Sequence, residues 1–246
     1  MKHWRGHVAL GLGLVLLSAV LYWVHYLIFD DPHHVFIYLV GDIAFVPIEV
    51  LLVTLVLHQL LQRREKHAML RKLNMVVGAF FSEVGTALLR AFAGFDRGLD
   101  DCRDSLMVSG AWSARDYAAA RRRLAGREHA IDPSAADLAA LRTMLLARRD
   151  FLLGLLENPN VLEHEAFTDL LWAVFHLTEE LDARGDLAEL PASDLKHLAG
   201  DIRRAYGRLT GVWLSYMAHL HRDYPYLFSL ATRMHPFVSD ASPVVV

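Results

Sequence analysis

Two apolar runs dominate the first quarter of the chain. Val8 to Phe29 gives 22 residues without a single Asp, Glu, Lys or Arg. As a helix this run is about 33 Å long, enough to cross the hydrocarbon core of a bilayer. It is too long for a cleaved signal peptide. It is also followed by "YWVHYLIFDDP" rather than a small-residue cleavage site, so it reads as a retained first span. Val35 to Leu61 predicts a second span, interrupted by Asp42, Pro47, Glu49 and His58. Between them "DDPHH", Asp30 to His34, predicts a short hairpin loop.

Beyond residue 65 the period changes. Met69, Leu70, Leu73, Val76, Val77, Phe80, Phe81, Val84 and Leu88 follow the three-four spacing of an amphipathic helix that continues the second span. The stretch 74–89 is too short for a third crossing and reads as a core or interfacial helix. Glu83 is its lone charge and is expected to pair with a basic neighbour. "GFDRG" (94–98) breaks the helix. Ser113 and Asp116 predict a capped start for a helix that ends at Gly126. Asp132-Pro133 opens another helix that is expected to run to Glu157, and Asn158-Pro159-Asn160 breaks the pattern again. Helices at 161–184 and 193–222 and a short one after Tyr224-Pro225 complete the set. The fold predicted is all-α, a two-helix transmembrane hairpin (1–64) followed by an antiparallel helical bundle (65–234) and a flexible tail (235–246).

Charge orients the hairpin. Its loop carries no Lys or Arg, whereas Arg63, Arg64, Lys66, Arg71 and Lys72 follow the second span. The positive-inside rule therefore predicts a multi-pass protein of the inner (plasma) membrane with both termini, and the bundle, in the cytoplasm. Tyr22, Trp23 and Tyr26 fit an aromatic belt at the outer interface. A net charge of −3 gives no general basic field, which excludes nucleic acid as a partner on this ground. One cysteine, Cys102, rules out an intrachain disulfide or an all-cysteine zinc site. No phosphate loop, nucleophile elbow or His-Glu-x-x-His motif is present, so the sequence proposes no enzyme and no cofactor.

The 14 histidines are scattered, and no metal site is expected. The nearest approach is Glu165, Asp169, His176 and Glu180, within about 60° on one helix. The opposite side carries Leu170, Leu171, Val174, Phe175, Leu177 and Leu181, so the acidic stripe is expected to face solvent, and no second Glu-x-x-His stands on another helix to complete a di-iron set. Asp100, Asp101 and Asp104 lack the glycine and glutamate of a calcium loop.

The chemistry concentrates in the second span. Asp42 and Glu49 are seven residues apart and so fall about 20° from each other, on a stripe shared with Tyr38. A carboxylate near mid-bilayer costs about 2.5–3.5 kcal/mol on insertion scales and must be sheltered from lipid. Pro47 withdraws a backbone donor and clashes with the Ile43 carbonyl, which frees that oxygen beside Asp42. Oxygen ligands and negative charge along one side suit a cation path, with Asp42, Glu49, Pro47 and Tyr38 lining it and Asp30, Asp31, His25, His33 and His34 at its outer mouth. The bland reading makes these acids polar glue between helices, with His25, His33 or His34 as partners.

The layout resembles two-span cation channels that carry an acid early in the pore-lining helix. "GDIAFVPIEV" is similar, over ten residues, to the signature of the mitochondrial calcium uniporter family. Asp42 and Ile43 match it, whereas Pro47 precedes Glu49 with a different spacing, and the resemblance carries no family assignment. The expected function is a homo-oligomeric cation channel or proton/cation relay, its partners being the bilayer and copies of itself. The alternative is a membrane-anchored helical scaffold or sensor that binds a cytoplasmic partner protein and transports nothing.

Overall fold

The computed structural model describes residues 2–29, 31–162 and 164–245, with side chains there except those of residues 2–9, 34, 63–71 and 135. The chain separates into two units, Met1–Lys66 and His67–Val246.

The first unit contains α1 (Lys2–Phe29) and most of α2 (Pro32–Phe80). Residues 10–29 and 35–62 are each long and apolar enough to cross a membrane. The turn between the helices is tighter than the pattern predicts. Asp31 Oδ1 accepts the His33 N–H at 2.9 Å, and Pro32 occupies the first helical position, where its missing donor costs nothing. His33 therefore belongs to the first turn of α2 rather than to the loop. Helix α2 continues through Pro47 without a break. Nearly every described side chain of the hairpin is exposed, from Leu10 (64 %) and Leu16 (69 %) to Val50 (59 %) and Leu57 (54 %). An apolar surface of that extent is covered by lipid or by other protein.

The second unit is a helical bundle. It comprises the end of α2, α3 (Thr86–Phe95), α4 (Ala114–Ala125), α5 (Ala135–Leu146), α6 (Arg149–Leu156), α7 (Pro159–Leu162), α8 (Glu165–Asp182), α9 (Ala192–Asp223) and α10 (Pro225–Arg233). Local chemistry accounts for most of these limits. Ser113 and Asp116 form a reciprocal capping box at α4, as expected, and Ser134 with Asp137 forms another at α5, two residues after the Asp132-Pro133 start that the sequence suggests. The single helix expected to reach Glu157 is instead two, α5 and α6, separated at Ala147 and Arg148. Pro225 opens α10.

The core joins Leu170, Leu171, Val174, Leu177 and Leu181 of α8 to Leu198, Ile202, Tyr206, Leu209 and Trp213 of α9. Leu73, Val77 and Phe80, followed by Val84, Leu88, Leu89 and Phe92, are buried in the same core, although residues 72–95, around the stretch 74–89 expected to be too short for a crossing, are also long and apolar enough to span a membrane. Glu83 points outward and pairs with Arg148 at 3.4 Å, as anticipated.

Between α2 and α3 the chain makes one π-helical segment, Phe81–Gly85. The Thr86 N–H reaches back five residues to the Phe81 carbonyl, and the Thr86 hydroxyl donates to the same oxygen at 2.8 Å. This turn lets two consecutive phenylalanines, Phe80 and Phe81, both be buried. Phe80 meets Phe167 edge-on at 5.4 Å, while Phe81 stacks on Tyr216 at 5.0 Å. Gly85 is required here, because a Cβ at this position would lie 2.6 Å from the Phe81 ring and 2.7 Å from the Phe80 ring.

The tail is anchored at its start. His235 and Phe237 are 3 % and 4 % exposed and both pack against Trp213, with ring centroids 5.3 Å away in each case. The first residues of the tail expected from 235 thus include two buried side chains. Their backbone is also held from outside: Arg90 donates to the Met234 carbonyl at 2.8 Å, and Arg103 to that of Phe237 at 3.2 Å.

Two outcomes follow from this packing. Gly85→Ala should destabilise the bundle by about 1–3 kcal/mol, read as a lower melting temperature, because the two rings must move. Burial pushes the His235 imidazole below its ordinary pKa of 6.5, against a smaller opposing effect of its contact with the Leu106 carbonyl. The unfolded chain then takes up this proton first, so the His235 contribution is complete above pH 6.5 and is lost as the pH falls below it. The melting temperature should drop between pH 7 and pH 5, and His235→Phe should flatten that part of the profile.

Candidate functional site

In the hairpin the structure brings part of the predicted stripe into contact with the other helix of the same chain. The Tyr22 hydroxyl of α1 donates to Asp42 Oδ2 of α2 at 2.6 Å. Two polar groups on apolar helices thereby satisfy each other. Tyr22 had been assigned to an interfacial belt, and His25, His33 or His34 were the expected partners of the acids. One turn further along α1, His25 lies against Phe29, with centroids 4.7 Å apart, and edge-on to Tyr38 at 5.8 Å. Tyr38 and Asp42, placed on the pathway by their spacing, thus face α1. His25, expected at the outer mouth, packs against Tyr38.

The remaining predicted residues divide differently. Asp31 is the cap of α2, and His33 supplies the capped N–H. Asp30 and the side chain of His34 lie outside the described residues. Glu49 follows Asp42 by seven residues and so lies about 20° from it around the helix. It is exposed in the hairpin and has no hydrogen-bond or ion-pair partner among the described residues. Below it, His58 and Gln62 share a hydrogen bond of 2.9 Å, four residues apart.

The bundle contains a polar cluster that periodicity did not single out. Asp96 is 5 % exposed and His129 is 4 % exposed. Asp96 Oδ2 sits 2.9 Å from His129 Nδ1, and Oδ1 accepts the N–H groups of Gly98 (3.0 Å) and Ala130 (3.1 Å). The loop after α3 is thereby sewn to the loop after α4, with an isolated antiparallel bridge between Asp96 and Ile131. Tyr206 lies against His129, with centroids 4.4 Å apart, and its buried hydroxyl has no partner. Burial raises the Tyr206 pKa far above its usual value, and burial likewise raises that of Cys102. The hydrogen bonds of Asp96 clasp the two loops together.

The stripe on α8 divides in two. Glu165 and Asp169 face solvent as expected, and Asp169 makes only a distant, exposed contact with Arg208 at 3.8 Å. His176 and Glu180, however, meet His197 and Asp201 of α9. No second Glu-x-x-His is involved, as the sequence leads one to expect. Helix α9 offers a histidine and a carboxylate with the same four-residue spacing.

Comparison with known proteins agrees with the two-unit division. Residues 1–61 match a family described as "MJ1433, N-terminal helical domain", and residues 69–233 match "Uncharacterized protein MJ1433, C-terminal helical domain". A relative from Methanocaldococcus jannaschii, "Uncharacterized protein MJ1433", is 45 % identical over 237 residues, covering 96 % of this chain and 95 % of its own length. The chain belongs to the MJ1433 family. No solved structure matches it. The matched regions end at 61 and resume at 69, on either side of the boundary after Lys66 that separates the hairpin from the bundle.

The Tyr22–Asp42 contact can be measured directly. In detergent-solubilised protein, Tyr22→Phe and Asp42→Asn should each lower thermal stability, and their effects should not add. A double-mutant cycle should give a coupling of about 0.6–2 kcal/mol, the range for hydrogen bonds between membrane helices.

Proposed function

We propose that the protein is a membrane-anchored helical module, in which the hairpin holds the bundle at a bilayer surface and the bundle is the working part. The observation that carries this reading is the Tyr22–Asp42 hydrogen bond. A carboxylate that already has a donor within its own hairpin needs no ring of copies to shelter it. The hairpin is predominantly apolar and exposed, as an anchor must be. In this reading the bundle and both termini are cytoplasmic, which the basic residues after the second span favour by the positive-inside rule.

The bundle has a surface suited to receiving a partner protein. Met75, Gly78, Tyr216, Leu220, Tyr224 and Leu227 line an open groove of about 530 Å³ between the end of α2, α9 and α10. Met75 is 69 % exposed and Leu227 41 %. Large apolar side chains around a concavity are the usual composition of such sites.

A second reading rests on Glu49. This acid has no partner among the described residues and lies on the Asp42 side of α2, so it is the group that neighbouring copies would have to shelter. In that reading several hairpins assemble around Glu49 and relay cations or protons.

The two readings differ in flux and stoichiometry. As an anchor, the protein reconstituted into liposomes should add no cation flux above that of empty vesicles, and the Asp42→Asn/Glu49→Gln variant should behave identically. In nanodiscs it should be a monomer or dimer. A flux that the double variant abolishes, carried by a larger ring, would overturn the anchor reading in favour of the relay.

A further inference from the structure

Helices α8 and α9 run antiparallel, so residues ascending one meet residues descending the other: Asp169 lies near Arg208, His176 near Asp201, and Glu180 near His197. Near the end where the two helices are joined, each contributes a pair four residues apart, His176 with Glu180 and His197 with Asp201. Each pair thus projects from one face of its helix, one turn apart. Glu180, His197 and Asp201 each present one ligand atom within 4.8 Å of the others. His197 Nε2 is 3.4 Å from Glu180 Oε2 and 3.3 Å from Asp201 Oδ2. His176 Nε2 is 3.8 Å from Glu180 Oε1 and 3.6 Å from Asp201 Oδ2.

Asp201 distinguishes this cluster from an ordinary solvated ion-pair face. Its side chain is only 2 % exposed. Oδ1 is taken by Arg204 at 2.9 Å, while Oδ2 is buried with no hydrogen-bond donor and is directed at the two imidazoles. A buried carboxylate oxygen without a donor is costly, and a bound cation removes the cost. The other carboxylate is fixed through Oε2, the oxygen that lies 3.4 Å from His197. The Arg184 guanidinium grips Asp194 through two bonds of 2.7 Å and gives a third of 2.7 Å to Glu180 Oε2. Outer contacts of this kind orient metal-ligating carboxylates.

We propose that His176, Glu180, His197 and Asp201 bind a divalent transition-metal ion, zinc by preference, across the α8–α9 seam. Two imidazole nitrogens and two carboxylate oxygens form a donor set that suits zinc. Four ligands at about 2.0–2.2 Å from a tetrahedral ion stand about 3.3–3.6 Å from one another. The separations of His197 Nε2 from Glu180 Oε2 and Asp201 Oδ2, 3.4 and 3.3 Å, match those edges, and the half-exposed His176, 3.6 Å from Asp201 Oδ2, would turn in to supply the fourth ligand. His176 and His197 are about half exposed, so an ion can reach them from solvent without opening the core. The site lies wholly within the bundle and does not depend on how the hairpin is used.

Full-length protein without an affinity tag, stripped with chelator and titrated with Zn²⁺, should bind one ion and gain several degrees in melting temperature. Mg²⁺ and Ca²⁺ should do neither. Co²⁺ in place of zinc should give the intense visible bands of tetrahedral nitrogen and oxygen ligation. His176→Ala/His197→Ala, both half-exposed positions, should fold normally and weaken zinc binding by at least about 100-fold. Retained binding in that variant would assign the metal to other histidines and overturn the proposal. So would absence of stoichiometric uptake by the wild type. A double variant that lowers the metal-free melting temperature while zinc leaves the wild type unmoved would reduce the cluster to an ion-pair network.

Discussion

The packing of α8 against α9 is the contact on which the bundle depends. α3, α4 and α10 pack on α9, and α5 and α6 pack on α8, so each of these layers is positioned by the central pair. Leu170, Leu171, Val174, Leu177 and Leu181 face Leu198, Ile202, Tyr206 and Leu209, all fully buried. Burying such side chains is worth about 1.5–3 kcal/mol each before entropy is counted. The same seam explains why polar chemistry gathers at its rim. Where the apolar faces meet, Asp201 is buried, and it is met by His197 and Arg204 of its own helix and by His176 of the facing one.

A single rule connects three distant features. A polar group removed from water must find a partner. In the hairpin the partner of Asp42 is Tyr22, one helix away. In the loops, Asp96 collects His129 and two backbone donors and so fixes two connections at once. At the α8–α9 rim Asp201 Oδ2 has no donor and the ligand atoms of Glu180 and His197 converge on it, which makes the rim the place to look for a metal.

The sequence made legible what is local. The two apolar spans, the capping pair Ser113 and Asp116, the breaks at Gly94–Gly98 and Asn158–Asn160, and the α9 stripe from Leu198 to Leu220 are all written within a few residues. Pairings across the chain were not legible. Tyr22 meets Asp42 only because two helices turn back tightly at Asp31-Pro32, and Asp96 meets His129 across 33 residues. The α8 stripe looked solvated because a periodicity argument sees one helix at a time. It could not know that His197 and Asp201 would come alongside. The break at Ala147–Arg148 carries no glycine or proline, so no local residue announced it.

The π turn at Phe81–Gly85 has a consequence for the length of this segment. A π turn holds one more residue than the α turn it replaces. Excising a single residue from 81–85 would restore an uninterrupted α-helix and leave the segments on either side close to their present phase, because about four α residues turn through nearly the same angle as five in a π turn. Leu73 and Val77 would still face the interior they now fill, and the change would fall on Phe80 and Phe81, whose joint burial the wider turn permits.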